Sequence, residues 1–311
     1  MEGIKRFYNQ NRRTIWMVVG ITVSFLVILQ LLNHWAKNSN KKEEPVSSNT
    51  SANRNNTYDN IELETKESVV SGDKLSKSQI KTQVSLIEEF VSYCNNKEID
   101  KAYELLTNDC KEEMFHEVGD FEEIYYNRVF NGEKKEASVE NWINNTYKVK
   151  YQEDMLSTGK YIEETKQDNI TVVKQDSENK LNINGYIGRT TLNKKKSQDG
   201  ITIKVKKKDT YMNFEKYEIE ISNNTNSDII LDSKEDENTM YLEDSNEVHY
   251  TAYSHEITDN NLNIFKNDIK TIEIKYYSKY ISSKEIKKLV FSDIITNLNG
   301  YNDVKKIEVN I

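Results

Sequence analysis

A chain of 311 residues is long enough for two modest domains of about 150 residues each. With 36% hydrophobic and 30% charged residues and a single proline it is neither collagen-like nor a polytopic membrane protein, and its nineteen tyrosines and nine phenylalanines argue against wholesale disorder. The formal charge of −8 is uneven: residues 1–32 carry +3, from Lys5, Arg6, Arg12 and Arg13 against Glu2, which leaves −11 on the remainder and disfavours nucleic acid, anionic lipid and anionic wall polymer as partners of the bulk.

Residues 15–32 carry no charge, and twelve of these eighteen are Leu, Ile, Val or Phe. As a helix rising about 1.5 Å per residue they cover about 27 Å, close to a hydrocarbon core of about 30 Å. The run predicts a transmembrane helix from Ile15 through Phe25 to Leu32, bracketed by Trp16 and Trp35 as interfacial anchors. The basic cluster Lys5, Arg6, Arg12 and Arg13 keeps the amino terminus cytoplasmic and sends the rest outward. No small-x-small pattern follows the span, so an uncleaved signal anchor over 15–35, behind a cytoplasmic tail over 1–14, is expected in the cell membrane. Residues 36–76 are rich in Asn, Ser, Thr, Lys and Glu around Pro45, with almost no large apolar side chain. They read as a disordered stalk.

Ile80, Val84, Ile87, Val91 and Cys94, widened by Leu86 and Phe90, give the first amphipathic helix. Asn95-Asn96-Lys97 breaks it, and Ile99, Ala102, Tyr103 and Leu106 define a second helix ending near Thr107-Asn108-Asp109. A third carries Phe121, Ile124 and Tyr125, with Asp120 as its N-cap. After Trp142 the period becomes two. Tyr147, Val149 and Tyr151 alternate with lysines, and Ile170, Val172, Leu181 and Ile183 form two further strands turned at Asp176-Ser177-Glu178-Asn179. Helices followed by an antiparallel sheet predict an α+β domain over 77–195. Cys94 and Cys110, on separate helices, read as small core residues too distant to bridge.

Glu89-Phe90-Val91, Lys101-Ala102-Tyr103-Glu104-Leu105-Leu106-Thr107, the helix over 121–130, the strand over 147–151 and the stretch 181–188 together resemble the nuclear-transport-factor-2-like superfamily. The likeness covers residues 78–192. It implies a cone of helices against a curved antiparallel sheet. Extracytoplasmic versions occur in membrane proteins of low-GC Gram-positive bacteria, including some penicillin-binding proteins and, after one preceding span, conjugation-channel components of the TcpC type. The last third departs from that pattern, because it does not look like a second cone.

From Gly200 onward short alternating runs dominate: Ile201-Ile203-Val205, Tyr217-Ile219-Ile221, then 229–231, 240–242, 248–250, 272–276, 289–291 and 307–311. Seven to nine short strands over 200–311 predict an all-β sandwich of immunoglobulin-like topology, without an inter-sheet disulfide since no cysteine lies there.

No motif supplies an obvious catalytic site. His116-Glu117 and His255-Glu256 each begin a zinc-protease pattern, but Asp120 and Asp259 stand where the second histidine belongs. His249 and His255 would lie about 20 Å apart on one strand at about 3.3 Å per residue. The acidic run 232–238 lacks the ordering of a calcium loop, and Gly185-Tyr186-Ile187-Gly188 has too few glycines to cradle a phosphate. Neither a metal nor a cofactor is expected. Arg189, Lys194, Lys195, Lys196, Lys204, Lys206, Lys207 and Lys208 form the one basic stretch, read as a solvated edge that discourages strand pairing. The resemblance places a pocket between helices and sheet, which Tyr103, Phe121, Tyr125, Trp142 and Tyr147 would line, although aromatic residues at such spacing are more often plain core. The expectation is therefore a membrane-anchored, extracytoplasmic, non-catalytic binding or assembly protein of a bacterial cell envelope. It would meet the lipid bilayer through one span and an envelope protein or a second copy of itself through its folded domains, as in a conjugation or secretion complex. The alternative is a surface carrier or sensor that takes a small molecule or glycan into the cone.

Overall fold

The computed structural model describes residues 75–153, 166–232, 234, 238–296 and 304–311. The expected span with Ile15, Trp16, Phe25, Leu32 and Trp35, the basic cluster at Lys5, Arg6, Arg12 and Arg13, and nearly all of the expected stalk lie outside the described residues. Among the described residues no helix is long and apolar enough to cross a membrane. The fold is β-rich, built mostly from antiparallel sheets with few helices.

Helix α1 (Lys77–Asn95) opens on a capping box: the Ser76 hydroxyl accepts from the Gln79 N–H, and the Gln79 side chain accepts from the Ser76 N–H at 2.9 Å. Its apolar stripe buries Val84, Ile87, Phe90, Val91 and Cys94. Helix α2 (Ile99–Glu104) follows, and Thr107 does not end the helical region but starts α3 (Asn108–Met114), its hydroxyl accepting from the Cys110 N–H at 3.0 Å. Helix α4 (Val118–Phe121) runs through a π turn (Glu122–Tyr126) into α5 (Asn127–Val129). Its N-cap is Glu117 rather than Asp120, which sits one turn inside and accepts from the Glu117 N–H at 3.3 Å.

Strand structure begins before Trp142. The first sheet is β1 (Lys135–Ile143), β2 (Thr146–Glu153), β3 (Lys166–Gln175) and β4 (Glu178–Asn182), antiparallel in that order. Asp176 and Ser177 turn β3 into β4 with φ of 50° and 73°, the left-handed pair that suits a two-residue hairpin. One face of this sheet and the helices enclose a core that includes Phe90, Phe121, Tyr125, Val149, Ile170 and Leu181.

Strand β5 (Tyr186–Gln198) pairs with β6 (Ile201–Tyr211), and β6 with β7 (Glu215–Asn223), which pairs in turn with β12 (Asp268–Tyr276). The opposing sheet holds β8 (Ile229–Ile230), β9 (Met240–Asp244), β10 (His249–Thr251), β11 (Asn263–Ile264), β13 (Ile286–Ile295) and β14 (Val304–Asn310), with β13 between β9 and β14. A short helix, α6 (Asp259–Leu262), precedes β11. Inward side chains at alternate positions, Ile201, Ile203 and Val205 against Leu242, Leu289 and Phe291 among others, make the second core. The β5–β6 turn needs Gly200, whose φ is +83° and whose missing Cβ would stand 3.4 Å from the Asn224 backbone. Asn223 is fully buried and fixes the next turn: its amide donates to the carbonyls of Ser227, Ile264 and Phe265, and its oxygen accepts from Thr225.

Candidate binding site

The helix-and-sheet core is where a ligand pocket was expected, and it is occupied by the chain's own rings. Phe90, Phe115, Phe121, Tyr125, Phe130 and Tyr151 are each below 2% exposed. Phe121 meets Phe90, Tyr103, Phe115 and Tyr125 at centroid separations of 5.6–6.2 Å, and Phe130 meets Tyr151 at 5.4 Å. These are contact distances for aromatic pairs, so the rings pack on one another.

Four of the five expected pocket residues are brought together here. Tyr103, Phe121, Tyr125 and Tyr147 are buried. The Tyr103 hydroxyl donates to the Phe115 carbonyl at 2.9 Å, and the Tyr147 hydroxyl to Gln83 Oε1 at 2.6 Å. Burial raises the Tyr147 phenol to about 12. Trp142 does not join them. It is 37% exposed near the end of β1, and the Lys148 ammonium lies 4.2 Å from its ring centroid.

At the sheet side of this core sits Asp168, buried and absent from the expected set. Its carboxylate accepts from the Tyr125 hydroxyl at 2.8 Å and from the backbone N–H groups of Asn184 and Gly185 at 2.9 and 3.1 Å. Tyr151 extends the chain, its hydroxyl 3.1 Å from that of Tyr125. Asn184 and Gly185 have φ of 57° and 73°, so their N–H groups converge as an anion nest, and the anion they hold is the protein's own Asp168. Burial raises the carboxyl against those hydrogen bonds, which lower it, and burial prevails. A signal was present: Asp168 continues inward the alternation of Ile170 and Val172, so a carboxylate on a core face marks a specific partner.

A second cluster lies where α3 meets β5, β6 and β7. Arg189, in the expected solvated basic edge, is instead only 9% exposed at its side chain. Its guanidinium reaches Asp209 at 2.8 Å, Glu112 at 3.0 Å, Glu113 at 3.2 Å and Asp109 at 3.8 Å. Glu113 also accepts from the Tyr211 hydroxyl at 2.7 Å and pairs with Lys216, while Asp209 accepts from the Tyr186 hydroxyl at 2.7 Å. Burial opposes the charge on Arg189, but the hydrogen bond and charge of Asp209 outweigh it and hold the pKa above its ordinary value. A bulge between Val205 and Lys207 interrupts the alternation of β6, and Lys206 and Lys207 both pair with Glu218. Lys194, Lys195 and Lys196 stay exposed on β5, at the edge of its sheet.

His249 stacks on Tyr241 with ring centroids 4.0 Å apart, and its Nε2 lies 3.4 Å from Glu243. Among the described residues no group of three His, Cys, Asp or Glu side chains could hold a metal ion. Neither Cys94 nor Cys110 is bridged; both are buried and free. The acidic run 232–238 lies partly outside the described residues, and Asp232 is turned to its own loop, accepting from the Lys234 N–H at 2.8 Å. No protein-family model, curated protein or solved structure matches the chain.

Proposed function

We propose that this protein is a membrane-anchored, extracytoplasmic binding and assembly protein of a bacterial cell envelope, acting through its surfaces and not by catalysis. The observation that carries this reading is the filled interior: Tyr103, Phe121 and Tyr125, which would line a pocket, are packed ring against ring, and Asp168 is committed to a backbone turn. A carrier needs room between helices and sheet, and an enzyme needs an acid or base that reaches substrate. The uncharged run over 15–32 behind four basic residues supplies the reading's anchor and orientation, and the −11 of the remainder keeps nucleic acid out of the partner set.

The finer architecture belongs to the same proposal. Four helices or helix pairs against a four-stranded antiparallel sheet support a nuclear-transport-factor-2-like cone. Beyond it, β6, β7 and β12 share one sheet, extended at its edge by β5, while β9, β10, β13 and β14 share the other; leaving aside β5 and the two-residue β8 and β11, the first, second and fifth strands oppose the third, fourth, sixth and seventh. That order supports an immunoglobulin-like Greek key. Two such modules on a tethered stalk suit recruitment within a conjugation or secretion complex.

In-cell cross-linking of the full chain tests the proposal together with a thermal-shift screen of small metabolites and glycan fragments. Discrete cross-linked species above the monomer, with no stabilising small ligand, are expected. A saturable ligand that raises the melting temperature, with no cross-linked species, would overturn it in favour of a carrier.

A further inference from the structure

The two cores are not joined by a linker. Strand β5 starts with Tyr186, fully buried in the first core, and pairs with β6 over its length; its Leu192 packs against the second core. Strand β6 runs the opposite way, from Ile201 in the second core to Tyr211, which packs against the first. The hairpin is therefore common to both. Its first-core end is fastened by charge: Asp109, Glu112 and Glu113 are on α3, Arg189 is on β5, Asp209 is on β6 and Lys216 is on β7.

The side chains of Glu113, Arg189 and Asp209 are 7%, 9% and 2% exposed. Ion pairs so shielded from water are weakly screened by salt, and opening one strands its partner in a poorly solvated place. Tyr211 on β6 also donates to Glu113 and would lose its acceptor if α3 moved off the hairpin, while the Tyr186–Asp209 bond, between β5 and β6, holds the hairpin end itself. Helix α3 cannot swing away from β5, β6 and β7 without breaking several of these contacts together.

We propose that the Arg189–Glu113–Asp209 cluster is a clasp that couples the two modules, so that they open and close as one cooperative unit and present their surfaces at a fixed mutual angle. Load or binding on one module is then felt by the other. The coupling does not depend on the membrane reading, since every group in it lies within the described fold.

Hydrogen exchange on the full chain tests the clasp. The probe substitution Ile170→Val, in the first core, should lower amide protection there by about two- to tenfold. With the clasp intact, the slowest amides of β7 and β13, in the second core, should fall by the same factor. In Arg189→Met, and independently in Glu113→Gln, the same probe should lower protection in the first core alone. Two results would overturn the proposal: an effect confined to the first core when the clasp is intact, or an effect that still reaches β7 and β13 in both clasp variants. The second would assign the coupling to the shared hairpin alone. Two variants are used because Arg189→Met leaves carboxylates unpaired, whereas Glu113→Gln keeps the shape of the side chain.

Discussion

Cys94 and Cys110 are 1% and 0% exposed, and burial raises both thiols, Cys110 to about 12. The thiolate is the reactive form, so both side chains are inert at neutral pH while the fold is intact. A thiol reagent should therefore titrate neither cysteine in the native protein and both after denaturation without reductant; immediate reaction in the native state would contradict the packing. Tyr276 poses a different question. Its ring is fully buried between the sheets at right angles to Tyr217, yet its hydroxyl has no hydrogen-bond partner among the described residues. An unpaired buried hydroxyl costs about 1–3 kcal/mol, so Tyr276→Phe should raise stability by about 1 kcal/mol, seen as a melting temperature about 2–4 °C higher. A fall of similar size would show that the hydroxyl is used. Asp168 makes stability depend on pH. Its folded pKa lies above the ordinary value of 3.8, so between those two values the native state binds more protons than the unfolded state. This contribution is present in full below 3.8 and is lost as pH rises through the folded pKa. Denaturant unfolding between pH 4 and 7 should show that decline in the wild type and a flatter curve in Asp168→Asn. The variant should also be less stable at neutral pH by about 1–3 kcal/mol, because its amide nitrogen would replace one of the two oxygens that accept from the Asn184 and Gly185 N–H groups and leave that donor unpaired.

Among the elements, α3 shows why local patterns can mislead. Thr107-Asn108-Asp109 carries residue types that both stop one helix and cap the next, and only the second role places Glu112 and Glu113 beside Arg189. Thr107→Ala removes the acceptor for the Cys110 N–H and should cost about 1 kcal/mol, measured by chemical denaturation; a neutral result would show that α3 is held by its tertiary contacts alone. Helix α1 was legible because seven apolar positions from Ile80 to Cys94 keep one period over about four turns, and β6 and β7 because Ile201, Ile203 and Val205, then Tyr217, Ile219 and Ile221, take alternate positions. Strand β1 was not legible. Its inward residues Ala137 and Val139 are small and flanked by Glu136, Ser138 and Glu140, so its alternation is faint, and its existence depends on pairing with β2. The burial of Arg189 could not be read either, since its partners come from α3 and β6, twenty or more positions away in sequence. Asp168 could have been found from a charged residue on the core face of a strand. The π turn at Glu122–Tyr126 carries Tyr125 into the core where a regular helix was expected, and Phe121→Ala beside it should cost about 3–5 kcal/mol through the cavity it leaves.

At the scale of the whole molecule, the described residues fall within one compact unit that holds two cores. Large apolar side chains are exposed on both modules, among them Ile124 and Trp142 on the first and Phe265, Ile269 and Tyr277 on the second. Every role proposed for the protein rests on the proposed anchor, so the side of the membrane that the folded modules face is the claim to test. Protease treatment of intact bacteria that express the full chain tests this most directly. Cleavage within residues 36–76 should release the folded modules into the medium while the segment before the span stays with the cells. Full-length chain that survives in intact cells, and is cut only after lysis, would contradict the account.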